Sequence, residues 1–248
     1  MVVFAAPDSA HPDSAPSFSD APALPDVLAR LRLETRREHE AVERVLNLMG
    51  VLTDSTYCQR LVQFYGFYNP LEAALKTRCT PLLGNHDAVQ LAQLLPRLHK
   101  SGLLRQDLQH LGVRIAGLAQ CRALPPIQTT AEVLGCLYVL EGATLGGRMI
   151  TQHVQRTLGI TPTTGGRFFD GYAGATARMW NAMRQTLLSG AVDAQAENAM
   201  VASAVATFTC LRSWCESTPF CKNSVTVHDV SNHPLGRANN NAGATQSA

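Results

Sequence analysis

Between residues 26 and 217 apolar side chains recur at steps of three and four, and strand-like alternation is absent over any useful length. The pattern predicts an all-α fold: a compact multi-helix domain at 26–217, with aperiodic tails at 1–25 and 218–248 that read as disordered. The first helix is expected from Asp26 to Leu48, with Gly50 as its stop. The second begins near Ser55, and Pro70 should break or kink it. Shorter pieces follow near 87 to 95, ahead of Pro96, and near 102 to 110. A longer helix opens at Thr129-x-x-Glu132, which has capping-box spacing, and closes at Gly159. Two more are expected at 174 to 188 and 193 to 216, and no internal repeat stands out.

The longer helix contains an anomaly. Its middle, LYVLEGATLGGRMI (137 to 150), holds Gly142, Gly146 and Gly147. Each glycine in a helix interior forfeits about 1 kcal/mol relative to alanine, so the trio gives up about 3 kcal/mol. The glycine pair predicts a kink. Gly142-x-x-x-Gly146 places two residues without side chains on one face, a shallow groove bounded by Leu145 and Met149. Another helix or a planar ligand would fit there.

In the first helix the apolar stripe runs through Leu28, Leu31, Thr35, His39, Val42, Leu46 and Met49, which turns His39 inward. Glu43, one turn on, can accept the Nδ1–H and leave Nε2 for a metal or a heme iron. A core histidine satisfied by Glu43 or a backbone carbonyl has the same pattern. Arg32 lies seven residues upstream on nearly the same face, about 10 Å along the axis. Its planar fork suits carboxylates, although Arg30, Arg36 and Arg37 make this helix generally basic.

Composition narrows the classes. A chain of 248 residues with 46% hydrophobic and 16% charged residues can build one substantial core. A formal net charge of +2 offers no footprint for nucleic acid or an anionic membrane. Seven scattered cysteines without a C-x-x-C pair point to buried reduced thiols and a cytoplasmic setting. Neither a signal peptide nor a membrane helix is expected. The sequence also lacks a dinucleotide fingerprint, a flavin motif, an iron–sulfur cysteine pattern and the Glu-x-x-His pairs of di-iron bundles.

Together, TRREHEAVE (35 to 43) and LYVLEGATLGG resemble heme oxygenases, more specifically the bacterial, biliverdin-producing type associated with bacteriophytochromes. FYGFYNPLE (64 to 72), LRQDLQHLG (104 to 112), ARMWNAM (177 to 183) and ATFTCLRSW (206 to 214) extend the resemblance over about 27 to 216. It implies that His39 ligates heme iron with Glu43 as its hydrogen-bonding partner. Gly142 and Gly146 would form the catalytic distal face, and Arg32 and Tyr138 would contact a propionate. Arg178 and Phe208 are further candidates for the second propionate and the heme edge. Ala143 stands where many animal members carry an aspartate, and bacterial members commonly have a small residue there.

The implied reaction is cleavage of heme, both substrate and cofactor, by O₂ and electrons to biliverdin, CO and ferrous iron. A ferredoxin or flavodoxin-type reductant would supply the electrons, and a bacteriophytochrome could accept the product; iron salvage is equally compatible. Two other readings stay open: a non-catalytic heme carrier or sensor, and a helical protein-interaction module in which the glycines seat a neighbouring helix.

Overall fold

The computed structural model describes residues 26–82 and 94–218. Both expected tails lie outside them, as does most of the helix expected near 87 to 95. Within the described residues the chain forms α1 (Val27–Leu46), α2 (Asp54–Leu82), α3 (Lys100–His110), α4 (Thr130–Gly142) and α5 (Gly147–Leu158). After these come a four-residue α6 (Arg167–Asp170), then α7 (Thr176–Gly190) and α8 (Ala194–Ser217). The all-α expectation holds, and no strand occurs among the described residues.

Local chemistry sets the ends. Asp26 caps α1 by accepting the Ala29 N–H, and Asn47 stops it in the left-handed region at φ 45°. The stop therefore comes at Asn47, three residues ahead of Gly50, because asparagine tolerates this backbone nearly as well as glycine. On α4 the capping box is complete: the Glu132 N–H donates to Thr129 Oγ1 and the Thr129 N–H to the Glu132 carboxylate. Gly159 closes α5 at φ 69°.

Pro70 does not break α2, which runs on as 29 residues. A proline at this position cannot donate to the Gly66 carbonyl one turn back. The chain supplies a substitute: the Cys121 N–H donates to Gly66 O at 2.8 Å. The crossing is close, since a methyl built on Gly66 would meet the Trp214 ring at 2.5 Å and Ala119 O at 2.7 Å. A tertiary hydrogen bond thus replaces the helical one, which no local pattern announces.

The core is a central pair of helices flanked by the others. α4 packs most extensively on α8, and α8 on α1, while α2 packs on α3. Gly135 makes the α4–α8 crossing possible, because a methyl there would stand 2.2 Å from the Met200 carbonyl oxygen. Thr130–Leu158 is long and apolar enough to cross a membrane by length and composition alone, but 61% of its apolar window is buried inside the protein. It is a core helix interrupted by a turn. Of the described cysteines, Cys58, Cys121, Cys136 and Cys215 are buried free thiols and Cys210 is half-buried.

Candidate active site

The expected buried stripe of α1 is present: Leu31, Thr35, Val42 and Leu46 are buried and Leu28, His39 and Met49 half-buried. The His39 side chain keeps 17% of its exposure and meets the Phe208 ring of α8 edge on, with centroids 5.5 Å apart. Burial lowers its pKa below the ordinary 6.5, and the charge of Glu40 opposes this. The ring is accordingly neutral at neutral pH, as a metal ligand requires.

Its relation to Glu43 differs from the expected one. Nε2, and not Nδ1, is the nitrogen facing Glu43, at 3.8 Å from Oε1, which is longer than a hydrogen bond. Helical side chains lean toward the N-terminus, so the longer glutamate extends back over the ring and meets its outer edge.

One turn before His39, Thr35 donates its hydroxyl proton to Leu31 O at 2.6 Å. The same hydroxyl lies close enough to Tyr138 of α4 to favour its ionised form. Burial raises the Tyr138 pKa, with Thr35 and the charge of Arg32 opposing. Arg32, exposed at the surface, is therefore near enough to act on Tyr138.

Gly142 follows Tyr138 by one turn, as His39 follows Thr35. It ends α4, and the turn 143–146 separates it from α5, which Gly146 opens as N-cap. The two glycines thus flank a break and do not share one continuous helix face. Successive i to i+3 bonds explain the break: Thr144 N–H to Glu141 O, Leu145 N–H to Gly142 O and Gly147 N–H to Thr144 O. Met149, expected to bound a groove, is 45% exposed.

The glycines divide by environment. Gly147 is a packing glycine, because a methyl there would stand 2.1 Å from the Phe169 carbonyl oxygen of α6. Gly142 is not, since a methyl there would meet only the Trp180 ring, at the ordinary contact distance of 3.9 Å. Helix α7 approaches Gly142 only through the Trp180 ring, with no backbone crossing close enough to require a glycine. Beside it, the buried Trp180 indole N–H has no hydrogen-bond partner among the described residues. A buried unpaired donor costs roughly 1–3 kcal/mol, a cost that a bound acceptor would remove.

These features fit an anionic, iron-bearing macrocycle: a neutral half-buried imidazole, a cation whose charge reaches a phenol, a bare backbone that no other backbone crosses closely, and a spare donor. Arg178 is exposed on α7. His153 is structural, with its Nε2 at 2.9 Å from Gly50 O. Sequence reasoning missed Trp180 and the buried residues around Glu141. Their signal is tertiary, apart from the position of Glu141 next to Gly142 in the glycine motif.

A family model described as heme oxygenase matches residues 26–217. No curated protein sequence matches the chain. Among solved structures, the NO- and CO-bound heme oxygenase from Neisseria meningitidis is similar with a TM-score of 0.62 at 19% identity, covering 77% of this chain and 92% of that one. Heme oxygenase from Leptospira interrogans gives 0.61 at 18% identity, covering 78% of this chain and 100% of that one. At such identities these two likenesses speak to the fold alone. Since the family model spans more than half of the sequence and the helical architecture agrees, the chain belongs to the heme oxygenase family.

Proposed function

We propose that this protein binds heme through His39 and cleaves it oxidatively to biliverdin, CO and ferrous iron. The observation that carries the reading is the contrast between Gly142 and Gly147: one glycine is required by packing, and the other leaves space that packing does not use. His39 would hold the iron, oriented by Phe208 and Glu43, while Arg32 and Tyr138 would fix one propionate. Bound heme supplies both the oxygen-binding metal and the carbon framework that is cut. Gly142 and Gly146 are the distal catalytic positions in this reading, admitting oxygen close to the backbone without an acidic or basic side chain.

No electron-carrying motif occurs in the sequence, so a ferredoxin or flavodoxin-type reductant is the proposed donor. A bacteriophytochrome is the proposed acceptor of biliverdin, with iron salvage as the other destination, and the buried thiols suit a cytoplasmic setting. Hemin titration followed by reductant and air tests the reading. Loss of the Soret band with growth of a biliverdin band supports it, and a stable heme spectrum favours a carrier, a reading that Ala143 in place of an acid keeps in play. His39→Ala should abolish the normal ferric spectrum and the product. Unchanged hemin affinity and biliverdin yield in that variant would remove His39 as ligand.

A further inference from the structure

Immediately before Gly142, Glu141 carries a buried carboxylate at the end of α4, with 2% of its surface exposed. Three donors converge on it from two other parts of the fold. Lys100 Nζ, at the first residue of α3, pairs with Oε1. Arg97 Nη1 lies 3.4 Å from Oε2, and the Tyr172 hydroxyl is 3.1 Å from each carboxylate oxygen. Lys100 is itself buried, and its backbone N–H donates to Glu72 of α2 at 2.8 Å. Two carboxylates and two cations thus lie together inside the protein, tying the end of α4 to α2, α3 and the segment after α6.

This investment is larger than helix packing needs. Uncharged side chains of the same volume fill such a space equally well, and a buried ion pair can serve to fix one arrangement over others. What they fix here is the beginning of the distal turn. The Glu141 carbonyl accepts both the Thr144 N–H at 3.0 Å and the Thr144 hydroxyl at 2.7 Å. Its side chain is thus anchored in the core while its backbone carbonyl holds the first residues of the break.

We propose that Glu141, clamped by Lys100, Arg97 and Tyr172, is a positioning residue that sets the turn 143–146 over bound heme and so determines which edge of the ring is cleaved. The assignment rests on the heme-cleaving reading above. Glu141 touches no reacting atom and acts through Gly142 and Thr144.

The test compares wild type, Glu141→Gln and Tyr172→Phe as full chains, first without ligand and then loaded with hemin. In the ligand-free proteins, amide hydrogen exchange at 143–147 should accelerate on the order of tenfold in both variants while the α8 amides stay protected. In the hemin complexes, affinity should remain within about threefold of wild type. The ferric spectrum should change, and a second biliverdin isomer should rise to roughly a tenth of product or more. Tyr172→Phe keeps the charges intact, so it carries the test if Glu141→Gln does not fold. Unchanged exchange at the turn, or an unchanged isomer ratio in a folded hemin-loaded Tyr172→Phe, overturns the assignment alone. A wild-type protein that does not bind hemin overturns the functional reading and this inference with it.

Discussion

His39 and Phe208 meet edge to face, with centroids 5.5 Å apart and ring planes inclined at 71°, so α8 sets the orientation of the imidazole on α1. The same burial lowers the His39 pKa. For a histidine shifted this way, the unfolded chain takes up a proton near pH 6.5 that the folded protein resists. Stability is therefore unaffected above about pH 6.5 and falls as pH drops from there toward the lowered folded value. His39→Ala lacks this loss. Melting temperatures of the ligand-free proteins from pH 8 to 5 should diverge below 6.5, with wild type declining more steeply; parallel curves would show that His39 is not buried as a neutral group.

Gly142, Gly147 and Gly135 predict effects of opposite sign. A methyl at Gly135 or Gly147 would run into a carbonyl oxygen at 2.2 or 2.1 Å, so either alanine variant should lose about 1–3 kcal/mol or more in denaturant unfolding. At Gly142 the methyl meets only ordinary contact, and ligand-free Gly142→Ala should be unchanged or more stable by up to about 1 kcal/mol. Its hemin complex should show the reverse, with weaker binding or an altered ferric spectrum. A Gly142→Ala protein destabilised as much as Gly147→Ala would assign both glycines to packing.

Periodicity exposed most of this fold because the helices are amphipathic and locally capped. Thr129, Glu132 and Gly159 announce their roles within four residues of chain, as does the stripe through Leu31, Thr35 and His39. Pro70 misleads because the acceptor it orphans is satisfied by Cys121, far along the sequence. The side of the imidazole that Glu43 faces could not be read from spacing, which fixes proximity and not ring rotation. Gly142 and Gly147 look equivalent as letters and differ only through Trp180 and Phe169. Glu141 stood in the motif unread, since Lys100 and Arg97, its partners in charge, precede it by some forty residues.

Trp180 yields a prediction with two readouts. Its buried N–H lacks a partner among the described residues, and its ring lies 5.9 Å from that of Tyr138. Trp180→Phe removes the unpaired donor while retaining an aromatic ring, so the ligand-free protein should lose no more than about 1 kcal/mol, less than an ordinary core truncation. Hemin affinity should fall about tenfold if the indole donates to the bound ligand. Equal affinity in the two proteins would leave Trp180 a packing residue only.

The buried charges around Glu141 can be weighed by a double-mutant cycle. Lys100→Met removes one of three donors and leaves the carboxylate, 2% exposed, with Arg97 and Tyr172 alone. Breaking one member of a buried pair typically costs about 3–5 kcal/mol, and the surviving Arg97 contact places this variant toward the lower figure. Adding Glu141→Gln removes the charge that the first change stranded, so the double variant should be more stable than the sum of the single losses by about 1–2 kcal/mol. Denaturant midpoints of the four ligand-free proteins give the coupling directly. Strict additivity would mean that Lys100 and Glu141 do not balance one another, and would leave Arg97 as the cation that matters at this end of α4.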